Sequence, residues 1–170
     1  PEKIKVLFLA AEAAPLVKVG GLGEVAGALP QALRSLSEKP DVRLVIPKHN
    51  RLVLGRRTAK LVAEFKIKYL RGEINTKGYQ TTLNNTPVYL IDGEPFSKAA
   101  QVYSSDDQAD GFKYAYFSLA ALELAKQLDW IPDVLHAHDW HTALAVYALR
   151  TTLKDDRFFT GTRTLLTIHN

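Results

Sequence analysis

Ile4-Lys5-Val6-Leu7-Phe8-Leu9-Ala10 is a short, apolar, partly β-branched run, and it reads as a buried strand. A loop with Pro15, Gly20, Gly21 and Gly23 follows it. Leu22, Val25, Ala26, Leu29, Leu33 and Leu36 then recur at intervals of three and four, which is one face of a helix. Pro30 lies inside that helix and is expected to kink it or to remove one backbone bond. Val42–Ile46, ended by Pro47, reads as a second buried strand. Strand, helix, strand at the start of a chain favours a parallel pair joined by a right-handed crossover.

Working outward, Val62-Ala63-Glu64-Phe65-Lys66-Ile67-Lys68-Tyr69 alternates as a half-exposed strand does. Two further strands are expected at 78–83 and 88–91, with Asn84-Asn85-Thr86-Pro87 as the turn between them. Together these read as a β-hairpin elaboration on the main sheet. Tyr114, Phe117, Ala121, Leu124 and Leu128 mark a second long helix. Val134-Leu135-His136 reads as a short strand, 142–153 as a third helix, and Thr164-Leu165-Leu166-Thr167-Ile168 as a last strand. Strands alternating with helices predict an α/β domain, Rossmann-like and doubly wound, with a mostly parallel sheet. Such a domain is expected to continue beyond a strand at its end.

The 170 residues suffice for one well-packed domain, and 46% hydrophobic with 24% charged residues is ordinary for a globular protein. No apolar run approaches the roughly 20 residues of a membrane span. The absence of cysteine excludes disulfides and Cys-ligated zinc. The net charge of +4 is uneven: ten Lys/Arg between Arg43 and Lys77, Arg71 among them, face only Glu64 and Glu73. Such a patch can meet phosphate groups or nucleic acid, or be the solvated face of a loop and hairpin. No nucleic-acid module signature accompanies it.

Two constellations carry chemistry. Lys18-Val19-Gly20-Gly21-Leu22-Gly23-Glu24 lies between the first strand and the first helix. Glycines let a backbone approach a ligand, a helix N-terminus favours negative charge, and Lys18 adds a full positive one. The pattern is neither a dinucleotide fingerprint, since the second strand ends on Ile46-Pro47-Lys48 rather than an acid, nor a P-loop, since Gly-Lys-Ser/Thr is absent. The alternative is a tight loop whose glycines only permit packing. The second constellation is His136-Ala137-His138-Asp139-Trp140-His141, at the carboxyl end of a strand. Asp139 is placed to cap the following helix, His138 to be a satisfied core residue, and His141 to face the same mouth as the glycine loop. A rival reading takes His136, His138 and His141 as zinc ligands of a metallohydrolase, although Asp139 stands one residue too early for that signature.

Three stretches resemble one family. Lys18-Val19-Gly20-Gly21-Leu22, with Glu12-Ala13-Ala14-Pro15 before it and Ala28-Leu29-Pro30 behind it, is similar to the Lys-x-Gly-Gly-Leu block of bacterial glycogen synthases and plant starch synthases. Asp133 to Ala143 resembles the family's second block, and Thr167-Ile168-His169-Asn170 the start of its third. The resemblance spans essentially the whole chain. It implies the N-terminal domain, residues 1–170, of an incomplete GT-B architecture whose donor-binding C-terminal domain lies elsewhere. It implies an enzyme that moves glucose from ADP-glucose to the non-reducing end of an α-1,4-glucan with retention, with no cofactor and no metal. The implied partners are the glucan acceptor and an ADP-glucose shared with the other domain, with no nucleic acid and no membrane. The implied compartment is the bacterial cytoplasm or the plastid. By resemblance, Lys18 contacts the donor's phosphate or glucose, the Gly20 and Gly21 amides approach the diphosphate and sugar, and His141 sits beside the transferring glucose. Glu24, His138, Asp139 and Asn170 complete the implied substrate contacts. Glu24 stands where the family has Asp, Ala109-Asp110 where it has Asp-Asn, and Lys113 where it has Arg. The 170 residues alone are expected to be inactive, because a nucleotide sugar needs contacts from both sides of the cleft. A non-catalytic glucan-binding module has the same residues.

Overall fold

The computed structural model describes residues 2–70 and 72–169; Arg71 and Asn170, both named above, lie outside the described residues. Seven strands form one sheet: β1 (Lys5–Leu9), β2 (Asp41–Pro47), β3 (Lys60–Tyr69), β4 (Gly72–Leu83), β5 (Thr86–Gly93), β6 (Val134–His138) and β7 (Arg163–Thr167). The spatial order is β3-β4-β5-β2-β1-β6-β7. β5, β2, β1, β6 and β7 run parallel, and β4 is antiparallel to both neighbours. This is the mostly parallel α/β fold with a hairpin added at one edge. The expected turn is tighter than the sequence suggests. Asn84 and Asn85 alone reverse the chain, both at positive φ, which asparagine tolerates better than most residues.

Four α-helices connect the strands: α1 (Gly21–Arg34), α2 (Glu94–Ser97), α3 (Asp107–Gln127) and α4 (Trp140–Arg150). α1 continues through Pro30, which is buried. α3 starts one and a half turns or more before its first periodic apolar residue, because Asp106 caps it by accepting from the amides of Gln108 and Ala109, each at 3.0 Å. α4 starts at Trp140 and ends at Arg150, where the sequence placed a helix over 142–153. The core lies on both faces of the inner strands. Phe8, Leu9, Leu44, Ile46, Leu90 and Ile91 are all buried there, so these strands read as continuous apolar runs.

β1 lies between β2 and β6. The chain leaves β1 toward β2 and β5, then crosses by α3 to β6 on the other side. The β1–β6 boundary is therefore the switch point of the sheet, where the loops after the two strands diverge and leave a crevice.

α1 approaches the loop after β1 closely. A Cβ placed on Gly27 would lie 2.3 Å from the Ala14 carbonyl oxygen. That neighbour is backbone and cannot rotate away. Gly27→Ala is expected to destabilise the chain by about 1–3 kcal/mol, the ordinary range for overpacking. The check is the urea midpoint at unchanged m-value. An unchanged midpoint would mean that α1 can move off the loop at no cost.

Candidate functional site

The glycine loop and the histidine stretch flank the switch point from β1 and β6. On the β1 side, Lys18 and Glu24 are exposed and their side chains pair with each other. The backbone N–H groups of Val19 and Gly20 do not point to open space. Both donate to the carboxylate of Glu12, Gly20 at 3.2 and 3.3 Å to its two oxygens. The amides assigned to a diphosphate are thus divided: Gly20 already has an anionic partner within the chain. Gly21, the first residue of α1, has no atom within 4 Å of where a Cβ would stand, so the surface there is open to a ligand.

Tyr103, from the segment between α2 and α3, forms the bridge across the crevice. Its hydroxyl donates to Glu12 Oε1 at 3.1 Å. Its ring stacks on His141 with centroids 4.9 Å apart and planes at 30°. Tyr114 meets His141 edge-on at 4.8 Å, and Trp140 lies 4.2 Å from it with half of its own surface exposed. His141 is 7% exposed, and its Nδ1 has no hydrogen-bond partner among the described residues. Burial pushes the His141 imidazole down to about 4, and the Lys113 ammonium and His49 add to this against the pull of Asp139 and Asp110. The ring is neutral at ordinary pH and carries one N–H and one lone pair, so it acts by hydrogen bonding rather than as a cation.

The other histidines sit elsewhere. His138 is fully buried and stacks on Phe8 at 4.2 Å, and its Nδ1 is 2.6 Å from Nε2 of His169. His136 lies beside it at 4.2 Å and bonds Thr167 Oγ1 at 2.8 Å. His138 therefore takes the core position expected for it on one reading of the sequence, and its Nε2 has no hydrogen-bond partner among the described residues. Among the described residues no three His, Asp or Glu side chains are grouped as metal ligands, and His141 is separated from the His136–His138 pair by its turn into α4.

Asp139 departs from expectation as well. It occupies the position before α4, but its side chain makes no cap bond. Its backbone has φ 58° and ψ −174°, a region that side chains rarely adopt and that costs about 1–3 kcal/mol. This turn swings the carboxylate away from the helix amides, and Oδ1 accepts from the His169 N–H at 2.6 Å instead. Thr142 does the local satisfying: its hydroxyl accepts from the His138 N–H at 2.7 Å and donates to the His138 carbonyl at 2.8 Å. Asn170 lies outside the described residues.

Sequence reasoning missed four contributors. Glu12 was visible only as part of a lead-in motif, yet it is 1% exposed and joins the glycine loop to Tyr103. Tyr103 itself sits in an irregular segment with no periodic signal. Asp110 and Lys113 stood out as departures from a family pattern, and they form a buried pair at 2.9 Å under the same segment. Lys113 donates to the Val102 carbonyl at 2.8 Å, and the Ser104 N–H donates to Asp110 at 2.8 Å, so the pair holds Tyr103 from both sides.

The basic stretch disperses over the fold. Arg43 lies 4.3 Å over the Trp130 ring and bonds the Tyr89 hydroxyl, Lys48 pairs with Asp92, Lys66 with Glu73 and Lys77 with Glu64. Arg56, Arg57 and Lys60 line an open cleft of about 490 Å³ with Gln80 and three threonines. No helix among the described residues is long and apolar enough to cross a membrane.

Comparison with known proteins places the chain in a family. A family profile described as starch synthase catalytic domain matches residues 5–170. The chain is 38% identical to a glycogen synthase of Vibrio parahaemolyticus over 173 residues, which is 98% of this chain and 34% of that protein. It is 40% identical to a glycogen synthase of Thermosipho melanesiensis over 170 residues, with the same shares. The catalytic domain of starch synthase IV from Arabidopsis thaliana, bound to ADP and acarbose, superposes with a TM-score of 0.88 at 31% identity, covering 99% of this chain and 34% of that one. The chain thus spans about a third of the length of the curated relatives it matches.

Proposed function

Because the chain belongs to the starch synthase catalytic-domain family, we propose that it supplies one wall of a glucosyltransferase cleft, which transfers glucose from ADP-glucose to the non-reducing end of an α-1,4-glucan with retention. The observation that carries this reading is the crevice at the β1–β6 switch point. There the Lys18 loop opens on the N-terminus of α1, and on the β6 side stands a neutral imidazole whose Nδ1 has no hydrogen-bond partner among the described residues. Lys18 and the start of α1 at Gly21 offer positive charge to a diphosphate. His141, held between Tyr103 and Tyr114, offers a directed hydrogen bond to a sugar hydroxyl, and the exposed part of Trp140 and the stacked rings offer an apolar face to a pyranose. Glu24, one methylene longer than aspartate, pairs with Lys18 and in this reading releases it when the donor binds. The Arabidopsis relative that superposes on this chain is bound to ADP and acarbose, which supports a nucleotide and a sugar as the ligand classes.

The 170 residues supply few groups able to hold a transferring glucose from the opposite side, and the chain alone is expected not to turn over ADP-glucose. The test is an NMR titration of the chain with maltoheptaose, and separately with ADP-glucose, following backbone amides. Shifts at Tyr103 and 139–142 with the glucan, and at Lys18 and 21–24 with the nucleotide sugar, are expected. A folded spectrum in which the glucan moves none of these amides would overturn the reading; a silent ADP-glucose titration alone would not, because the donor needs contacts from both sides of the cleft. Stoichiometric zinc uptake at His136, His138 and His141 would favour the metallohydrolase instead.

A further inference from the structure

Glu12 is a buried carboxylate whose oxygens accept from three groups of the chain. It lies just past β1, is 1% exposed, and has no salt-bridge partner among the described residues. A carboxylate buried without a cation is costly unless charge-assisted hydrogen bonds replace water. Glu12 has three such donors: the Val19 N–H, the Gly20 N–H at 3.2 Å and the Tyr103 hydroxyl at 3.1 Å. The loop is wrapped tightly around it. A Cβ on Gly23 would lie 3.0 Å from Glu12 Oε2, and the Gly23 carbonyl accepts from the Ala14 N–H at 2.8 Å.

The anion seat formed by the Val19 and Gly20 amides is therefore filled by the chain's own carboxylate. We propose that Glu12 is a positioning residue: its carboxylate orders the Lys18–Gly20 segment and, as a fixed negative charge, excludes a ligand's phosphate from the Val19 and Gly20 amides, so that the phosphate is received at Lys18 and Gly21. Tyr103 locks this arrangement. Because its ring also stacks on His141, the same phenol sets the spacing between the glycine loop and the imidazole. The part concerning phosphate rests on the function proposed above, whereas the ordering of the loop does not.

The test uses Glu12→Gln and Tyr103→Phe in the same chain. Glutamine keeps the shape but loses the charge and one acceptor oxygen. In Glu12→Gln, the Val19 and Gly20 amide protons are expected to move upfield and to exchange on the order of tenfold faster, as loss of a charge-assisted bond implies. Amides of Phe8 and Leu44 in the central strands are expected to stay unchanged. ADP-glucose, which moves Lys18 and Gly21 in the parent, is expected to move Val19 and Gly20 as well in Glu12→Gln. If Glu12→Gln does not fold, Tyr103→Phe carries the test: it removes one of the three donors that hold the Glu12 carboxylate, so the Val19 and Gly20 amide protons are expected to exchange faster than in the parent. Val19 and Gly20 amides that are unchanged in a folded Glu12→Gln, or unchanged in Tyr103→Phe, overturn the ordering role. A Glu12→Gln in which ADP-glucose still moves only Lys18 and Gly21 overturns the exclusion of phosphate. If ADP-glucose moves no amide in the parent, the phosphate part of the proposal fails, the glucan titration still decides the proposed function, and the ligand-free measurements still decide the ordering role.

Discussion

Lys113→Met is expected to lower the unfolding free energy by about 3–5 kcal/mol, the cost of leaving one member of a buried ion pair without the other. Lys113 and Asp110 are 4% and 5% exposed and meet at 2.9 Å. Burial pushes the Asp110 carboxyl up, but the Lys113 ammonium and the Ser104 amide outweigh it and hold the carboxyl below its ordinary 3.8. The sign of the pH dependence follows. In the parent the pair's contribution is present above 3.8 and is lost as pH falls through the lower, folded-state value. In Lys113→Met burial has no counterweight from the ammonium, so the carboxyl rises, and the penalty is greatest at neutral pH and shrinks on acidification. Methionine also leaves the Gln101 carbonyl without its ammonium donor, although Val102 keeps the Tyr114 hydroxyl at 2.6 Å. Urea unfolding of Lys113→Met, Asp110→Asn and the double variant decides the matter. A coupling of about 0.5–3 kcal/mol between the two sites is expected. Strict additivity would mean that the two groups do not act as a pair.

The sheet was legible because its signals are local. Val42–Ile46 and Val88–Ile91 are apolar runs bounded by turn residues, and they emerged as inner parallel strands and the end of a hairpin. The glycine loop and the stretch from His136 to His141 were legible as chemistry because residue types crowd there beyond what packing needs. What joins them was not legible. Glu12 and Tyr103 are 91 positions apart, and no period or spacing announces their hydrogen bond. The division of labour among the histidines was equally hidden. His136 and His138 alternate on a strand, so period two points both rings to one face, where Phe8 of β1 covers them. His141 escapes that face only because Asp139 takes a positive φ and turns the chain. Sequence alone gives an aspartate before a helix the role of cap, and the same turn removes it from that role.

Acidification is expected to begin destabilising this chain above the range where carboxylates protonate. Burial holds His49 and His141 at about 4 and His138 at about 3, all far below the ordinary 6.5, and lowers His136 as well. Neutral His49 is bound to the Ala11 carbonyl at 2.8 Å, and neutral His138 is packed against Phe8. In the unfolded chain these rings take up protons as pH drops through 6.5, and in the folded chain they do not until about 4 or below. The stability is complete above 6.5 and falls as pH falls, with a slope set by the excess protons bound in the unfolded state. Three lagging histidines give a slope of about 4 kcal/mol per pH unit, or on the order of 8 kcal/mol over two units, comparable with the whole stability of a domain. The ordinary carboxylate values of 3.8 and 4.5 lie below most of this window, so the loss between pH 6.5 and about 5 belongs to the histidines. Urea midpoints measured from neutral pH downward give the slope, and imidazole Cε1 proton shifts show which rings resist protonation. A flat midpoint across that window, or rings of His49, His138 and His141 that titrate near 6.5, would contradict the packing described here. It would also remove the neutral imidazole on which the proposed sugar contact depends, because a His141 that charges readily in the folded chain would present two N–H donors and no acceptor.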